Sequence, residues 1–479
     1  MVLFILAAMP ARAEGESENP WWRPLFPLGE HKAGVKKLKN EYIPFAQEGP
    51  GKHDIPSRPK LLIEKGDAFL GTGKLNPGFE LPHLGSIWQP RLWTYSFFRT
   101  ALQTFDNGAP LRERETEWAN RLDLYFNLQL TGTEKILLAL RSLDNDRPDR
   151  FTRYSFAGAD EGFNEEFNFR IESLFFEGDF GSFAPVFDWA GIKPIDYGFT
   201  IGRQSFTFQE GMLINDTVDA IGIVRNNIPL RGTSNFRASA LWAWDGLDRN
   251  DEFLPDTFDD MFALFLFADT HVSTYNLDMI YVLDSGDGDG FYVGASAIQR
   301  IAALGGLSTA FRINSSFALE DEIPGNVVGN GTLFTAEISK EVTGSHDIVY
   351  FNPFVSVGNF TQAGRTPILG GPLANMGILF ASPNLSLYLS EQNGFTTNGV
   401  VGAAVGYQAF WSKQTRNLIL EIAGRHDYED GAGFDSIGAG FQYQHKVNRF
   451  VQLTLEGFVT ANEGRDNGSG ARFEVLFNY

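Results

Sequence analysis

The 479-residue chain contains no cysteine, which excludes disulfide bonds, thiolate zinc sites and cysteine nucleophiles. It has only seven histidines, and none is spaced as His-x-x-x-His or as a similar pair of metal ligands. Basic residues are also scarce, because 59 Asp and Glu residues outnumber 39 Lys and Arg residues. The resulting net charge of −20 argues against nucleic acid as a partner, since nucleic-acid binding needs a basic surface.

Long apolar runs and catalytic signatures are missing as well. After the first residues, no run of about 18 apolar residues occurs, so the sequence predicts no membrane-spanning helix. It also lacks a Gly-x-Ser-x-Gly motif, a His-Glu-x-x-His motif and a phosphate-binding loop. We therefore predict that the protein is not an enzyme and has no catalytic residue, metal site or cofactor.

The start of the chain differs from the rest. Residues 1–13 join a short apolar core to Ala11-Arg12-Ala13, which fits a small-x-small cleavage site, and this pattern predicts a secretory signal peptide. A buried N-terminal strand is the alternative. Residues 14–88 are rich in proline and glycine, and we expect a periplasmic lead-in, a partial plug or a disordered arm there.

Residues 89–479 consist of segments of about ten residues in which apolar and polar side chains alternate, separated by turns rich in Gly, Asn and Asp. In one segment, one face is apolar: Leu122, Leu124, Phe126, Leu128 and Leu130. The last segment also has an apolar face: Phe473, Val475, Phe477 and Tyr479. About eighteen such segments can be counted.

A soluble β-sandwich also alternates, but three features favour a transmembrane antiparallel β-barrel of about 18 strands. Full charges lie in the middle of the segments, large aromatic residues lie towards their ends, and no helical pattern intervenes. The final strand ends on Tyr479 and resembles the closing strand of bacterial outer-membrane barrels, in which the terminal aromatic residue belongs to the assembly signal. We expect it to pair with a first strand within Arg91–Gln103 and to engage the barrel-assembly machinery.

The connections between segments have two sizes. Short ones include residues 131–133, 268–271 and 411–414, whereas 144–165, 245–256 and 358–375 are long. Short periplasmic turns opposite long external loops are typical of outer-membrane barrels, so lipid and lipopolysaccharide are the expected surroundings. Two long loops, at 144–149 and 248–252, are strongly acidic, and a surface adhesin or a scaffold partner of an envelope complex is a second interpretation.

The polar faces of the segments would line the lumen. They carry five charged residues that we predict to contact a solute: Arg121, Asp123, Arg170, Glu172 and Arg237. A guanidinium suits carboxylates and sugar hydroxyls, so the solute would be polar or anionic and could be an oligosaccharide. The alternative is that these charges pair with one another and brace the barrel interior.

The segment Gly202-Arg203-Gln204-Ser205-Phe206, followed by Gly211–Asp216 and Val218-Asp219-Ala220, resembles the alginate-export family of outer-membrane porins. The resemblance is specific over about sixty residues, 165–225. In the rest of the chain it is limited to the overall plan of a signal peptide and about eighteen strands. It implies a Gram-negative outer-membrane location, about eighteen strands and an arginine-rich lumen through which a polyuronate is exported. Arg170 and Arg203 would then lie on the solute path.

Taken together, these patterns predict an outer-membrane channel for polar or anionic solutes, saccharides included. The adhesin or scaffold interpretation uses the same barrel but places its function on the acidic loops. A soluble, secreted all-β carbohydrate-active enzyme is a third interpretation.

Overall fold

The structure is a computed structural model that describes residues 58–479 except 59, 72–74, 107, 109–113, 146–150, 159–160, 186–196, 250–259, 285–287, 320–326, 366–370, 382–396 and 430–433. The predicted signal peptide and most of the lead-in lie outside the described residues. Among the residues that are described, no helix is both long and apolar enough to cross a membrane.

Eighteen long strands of the described chain form one closed antiparallel sheet, and we number them β1–β18 in chain order. They are β1 (Arg91–Asp106), β2 (Glu115–Gln129), β3 (Lys135–Arg141), β4 (Ile171–Asp179), β5 (Tyr197–Phe208), β6 (Ile214–Arg225), β7 (Asn235–Asp245), β8 (Asp260–Asp269), β9 (Ser273–Leu283), β10 (Gly290–Ile301), β11 (Leu307–Ala318), β12 (Gly331–Glu341), β13 (Ile348–Gly358), β14 (Val400–Trp411), β15 (Arg416–Asp427), β16 (Ser436–Lys446), β17 (Val451–Asn462) and β18 (Gly468–Asn478). The predicted fold class, an antiparallel β-barrel of about 18 strands, is confirmed.

The barrel closes where the sequence predicted. β18 pairs with β1 in a continuous antiparallel register that runs from Ser469↔Asp106 to Asn478↔Phe97. The chain end adds to this seam, because the Tyr479 amide donates to the Ser96 carbonyl at 3.0 Å. No strand edge is left between the two ends of the sheet, as a structure that crosses lipid requires.

Alternation along the strands separates an outer from an inner face. In β18, Phe473 is 46% exposed on the outside, whereas its neighbour Glu474 is 5% exposed on the inside. In β2, Trp118 is exposed and Asp123 is buried, which again places the large apolar side chain outside and the charge inside. The expected arrangement of apolar and polar faces is therefore present.

The connections fall at two ends of the barrel. One end, which we call the short-connection end, contains three of the predicted turns, at 130–134, 270–272 and 412–415, although 180–196 is longer. The opposite, long-connection end contains residues 142–170, 246–259 and 359–399. Along 142–170, the short strand Thr152–Ala157 returns to β2 and extends the wall.

The described part of the lead-in lies at the short-connection end. Ile63–Lys65 pairs with residues 92–94 of β1, and the Asp67 carboxylate lies 2.9 Å from the Arg91 guanidinium. The indole of Trp93 donates to the Asp67 carbonyl at 2.9 Å. These contacts attach the lead-in to the first residues of β1, while the domain boundaries at 13 and 88 stay predictions.

Candidate functional site

A network of buried charges covers the inner wall of β2–β4. Asp123 accepts hydrogen bonds from Arg121 Nε at 2.9 Å and from Arg141 Nε at 3.0 Å. Arg141 also lies 2.8 Å from Glu172, and Arg170 lies 3.0 Å from the other oxygen of Glu172. Strand alternation puts these side chains on one face, and neighbouring strands bring them into register.

The excursion that follows β3 completes the network. Asp144 is fully buried and lies 3.5 Å from Arg170 and 3.8 Å from Arg141. Phe151, further along the connection from β3 to β4, packs with Ala101 and Ala119 on the inner wall. These contacts place residues 142–145 and Phe151 against the inner wall.

The network continues around the barrel past the seam. Arg99 on β1 lies 3.8 Å from Glu474 on β18, and Arg472 lies 2.8 Å from Glu456 on β17. Five arginines on adjacent strands thus alternate with five carboxylates: Arg472, Arg99, Arg121, Arg141 and Arg170 with Glu456, Glu474, Asp123, Glu172 and Asp144. We call this set the charge belt.

The electrostatics of the charge belt favour a bracing role for most of its members. Ten opposite charges cancel, and the Arg121, Asp123 and Arg141 side chains are each less than 10% exposed. A buried ion pair is stable only when its remaining hydrogen-bonding groups are satisfied, so each member constrains its neighbours. Within the charge belt, Arg99 and Arg170 are the most accessible arginines, with 16% of each side chain exposed.

A second feature of the lumen is a hairpin that leaves the wall. β5 and β6 pair with each other along their whole length. However, β4 pairs only with residues 198–203 of β5, and β7 pairs only with residues 219–225 of β6. Residues 204–218, which we call the hairpin tip, therefore have no neighbouring wall strand of their own.

The bend has a backbone cause in both strands. Gly202 has φ +120°, and a Cβ there would lie 2.3 Å from the Leu174 carbonyl oxygen. Such a conformation is open to glycine and closed to other residues. In β6, the pairing register shifts between Asp219 and Ala220, and a bulge of this kind bends a strand.

Contacts at the far end of the hairpin tip show that it crosses the barrel interior. Gln209 Nε2 donates to Asp278 of β9 at 2.6 Å, and Glu210 lies 3.6 Å from Arg312 of β11. On its underside, Phe208 stacks on Phe265 of β8 with the ring centroids 3.4 Å apart and the planes 2° apart. The hairpin tip is therefore held against the inner wall from β8 to β11.

A third part of the chain, described at residues 359–365 and 371–381, also enters the lumen. Gly364–Arg365 forms a short parallel pairing with residues 214–215 of the hairpin tip. At its other end, the amides of Ile378 and Leu379 donate to Glu421 of β15 at 3.0 and 2.9 Å. One described part thus contacts the hairpin tip and the other contacts β15, and both narrow the lumen at the long-connection end.

The structure brings four of the six predicted residues together. Arg121, Asp123, Arg170 and Glu172 all belong to the charge belt. Arg203 lies at the bend of the hairpin, on the face opposite Gln204, and its Nη1 lies 3.5 Å from Asp219. Arg237 lies on the inner face of β7, with its guanidinium 4.8 Å from the centre of the Phe267 ring.

Sequence reasoning missed Arg141, Asp144 and the inward segments. β3 reads Lys-Ile-Leu-Leu-Ala-Leu-Arg, with apolar residues on both faces, so its pattern does not show which face Arg141 occupies. Asp144 lies in the long connection after β3, where the sequence placed it, but its side chain is buried in the charge belt and does not face solvent. The glycine at 202 and the interrupted alternation around it are the signals of the bend in the sequence.

Comparison with protein-family models finds no match, and comparison with curated proteins finds none either. Solved structures do match over 81% of this chain. A BenF-like porin from Pseudomonas fluorescens Pf-5 has a TM-score of 0.54 at 9% identity over 98% of its own chain. Pseudomonas aeruginosa OccK2 with glucuronate and OpdK with vanillate each have a TM-score of 0.52 at 11% identity, over 97% and 98% of their chains.

At these identities the likeness concerns the fold, which is that of a large β-barrel porin. The finer resemblance to the alginate-export family is not supported, because the similar solved structures are of the Occ type. The segment 202–216 that suggested it forms the bend and the hairpin tip, so its glycines have a conformational explanation.

Proposed function

We propose that this protein is an outer-membrane channel for small polar or anionic solutes, saccharides included. The observation that supports it best is a closed barrel whose charged inner face is narrowed by two inward segments. A barrel built only as a scaffold has no need of an inner constriction. The porin fold of the similar solved structures favours the same function.

Accessible arginines on the inner face favour anions. Arg237 is exposed on the inner face of β7, and no ion pair to it is seen among the described residues. Arg99 on β1 and Arg170 before β4 add partly exposed side chains elsewhere on the inner face. A guanidinium binds a carboxylate through two parallel hydrogen bonds, and glucuronate and vanillate, bound in OccK2 and OpdK, are both carboxylates.

Arg237→Ser tests this function, because it removes a lumen charge without opening the charge belt. Two unit charges 4 Å apart in water interact by about 1 kcal/mol, so the anion-over-cation permeability ratio should fall by up to about fivefold. Reversal potentials in planar bilayers under a KCl gradient measure this ratio. Arg449→Ser, in the turn after β16, is the matched control and should leave the ratio unchanged.

The two possible failures have different meanings. An unaltered ratio in Arg237→Ser would remove this residue from the solute path. A folded, membrane-inserted protein with no conductance would overturn the channel function itself.

The expected location follows from the same proposal. A signal peptide at 1–13 would direct export, lipid and lipopolysaccharide would surround the barrel, and the barrel-assembly machinery would engage β18. Detergent-dependent extraction and heat-modifiable gel mobility test the location. A mature protein that is released from cells without detergent would contradict it.

The adhesin or scaffold interpretation depends on acidic external loops. Asp144, in the most acidic of them, is fully buried and lies close to Arg141 and Arg170. Asp248, in the second loop, is half-buried, and the other acidic residues at 146–149 and 251–252 lie outside the described residues. The channel function therefore has the stronger support.

A further inference from the structure

A cavity of about 460 Å³ lies in the cleft between the underside of the hairpin tip and the inner wall of β5–β8. Its volume falls within the range of small-molecule sites. Aromatic and polar side chains line it, among them Phe206, Phe208, Phe265, Thr200, Gln204 and Ser239. The charge belt contributes none of the lining residues, so the cavity is a separate feature of the lumen.

The apolar side of the cavity suits a ring. Phe208 and Phe265 lie parallel, and Phe206 lies beside Phe208 with centroids 6.5 Å apart and planes 19° apart. Gly222 in the wall keeps the space open, since a Cβ there would lie 3.1 Å from Thr200 Cγ2. Flat aromatic faces next to open space can pack against the face of a six-membered ring.

The polar side offers a hydrogen-bond donor. Gln204 is only 8% exposed, and its Oε1 accepts from the Thr200 hydroxyl at 2.8 Å. Its Nε2 is buried and has no hydrogen-bond partner among the described residues. A buried donor without a partner is unfavourable, and an oxygen atom of a bound solute would satisfy it.

The charges around the cavity disfavour a solute that carries a carboxylate. Glu177 and Asp179 line it, whereas none of the described lining residues is a lysine or an arginine. Lys135 lies 2.6 Å from Glu177, so it is already paired with a carboxylate of the protein. Both charged residues of the described lining are carboxylates and the nearby Lys135 is paired with one of them, so an uncharged solute fits better than an anion.

We propose that this cavity is a binding subsite for an uncharged six-membered ring that carries hydroxyl groups, as in a pyranose sugar or a phenol. The ring packs on the phenylalanines, and one oxygen accepts from Gln204 Nε2. This inference rests on the proposed channel function, because the solute reaches the cavity through the lumen. It assigns the channel a second, uncharged class of ligand beside the anions expected near the arginines.

The test measures binding of glucose and of catechol to the full-length protein in detergent, by calorimetry. Gln204→Leu keeps the side-chain size and removes the donor, so binding should weaken about three- to tenfold, as loss of one neutral hydrogen bond predicts. Ser239→Phe fills the cavity and should abolish binding. Gln408→Leu, on the inner face of β14, is the control and should bind as the unaltered protein does.

Binding of glucose alone identifies a sugar subsite, and binding of catechol alone identifies a phenol subsite. If neither probe binds the unaltered protein, the inference is overturned. It is also overturned if Gln204→Leu and Ser239→Phe, both shown to be folded by heat-modifiable mobility, bind like the unaltered protein. If Ser239→Phe does not fold, Phe265→Ala takes its place and should weaken binding by loss of the stacked ring.

Conductance of the same protein in planar bilayers separates the two proposals. A conducting protein that binds neither probe contradicts only the subsite. A protein that binds a probe through Gln204 and never conducts contradicts the channel function, and leaves the subsite as a property of a closed barrel.

Discussion

Asp123 is the residue whose removal should affect the charge belt most. It is 4% exposed and accepts three hydrogen bonds, two from Arg121 and one from Arg141. Asp123→Ala leaves two buried guanidinium groups facing each other without their shared carboxylate. Breaking a buried pair in this way costs about 3–5 kcal/mol of unfolding free energy, because a guanidinium that stays buried loses a carboxylate partner.

Asp219→Ala is the matched control. It also removes an aspartate beside an arginine, but Asp219 and Arg203 are about one-third exposed and lie 3.5 Å apart. An exposed pair contributes about 0–1 kcal/mol, so this variant should lose little. The two variants therefore differ in burial and not in the kind of interaction that is removed.

Urea unfolding of the barrel in lipid vesicles, followed by tryptophan fluorescence, measures the two losses by linear extrapolation. Asp123→Ala should lose at least about 2 kcal/mol more than Asp219→Ala. Equal losses would refute the assignment of the charge belt as a bracing element. They would show that water enters the lumen wall and screens these charges as it does at a surface.

Three further variants test other parts of the barrel. Arg170→Ser leaves Glu172 with one partner fewer, so it should lower both stability and the anion-over-cation permeability ratio. Gly202→Val cannot keep φ +120°, so the hairpin tip should leave the lumen and single-channel conductance should rise; an unchanged conductance would contradict an inward tip. Deleting residues 468–479 removes β18 and opens the sheet, so the heat-modifiable band should disappear from membrane fractions.

The sequence predicted the wall of this barrel well, because strand alternation is a local property. Side chains two residues apart lie on the same face, so consecutive residues such as Phe473 and Glu474 point outwards and inwards in turn. Closure could also be predicted, since a sheet in lipid cannot keep an open edge. The inner faces of β3 and β5 could not be predicted. Both faces of β3 are apolar, and the bend in β5 interrupts its alternation.

The contents of the lumen could not be predicted in the same way. Residues 204–218 alternate like any wall strand, and their inward course depends on contacts with β8, β9 and β11, which are 50–110 residues away in the chain. Likewise, Arg121 and Arg170 were recognised as inward charges, and Asp123 and Glu172 lie two residues further along the same segments, but Asp144, a further partner of Arg170, comes from the connection after β3. Alternation specifies a face, whereas the pairing on that face depends on barrel register.

The separation of bracing from accessible charges follows from that register. On the adjacent strands β17, β18 and β1–β4, arginines lie next to carboxylates and their charges cancel. An arginine there is therefore held by the protein before any solute arrives. Arg237 on β7 faces Phe267 and not a carboxylate on the neighbouring strand, so no ion pair among the described residues holds it. Selectivity should therefore depend less on the number of arginines in the lumen than on which of them lack a carboxylate on the neighbouring strand.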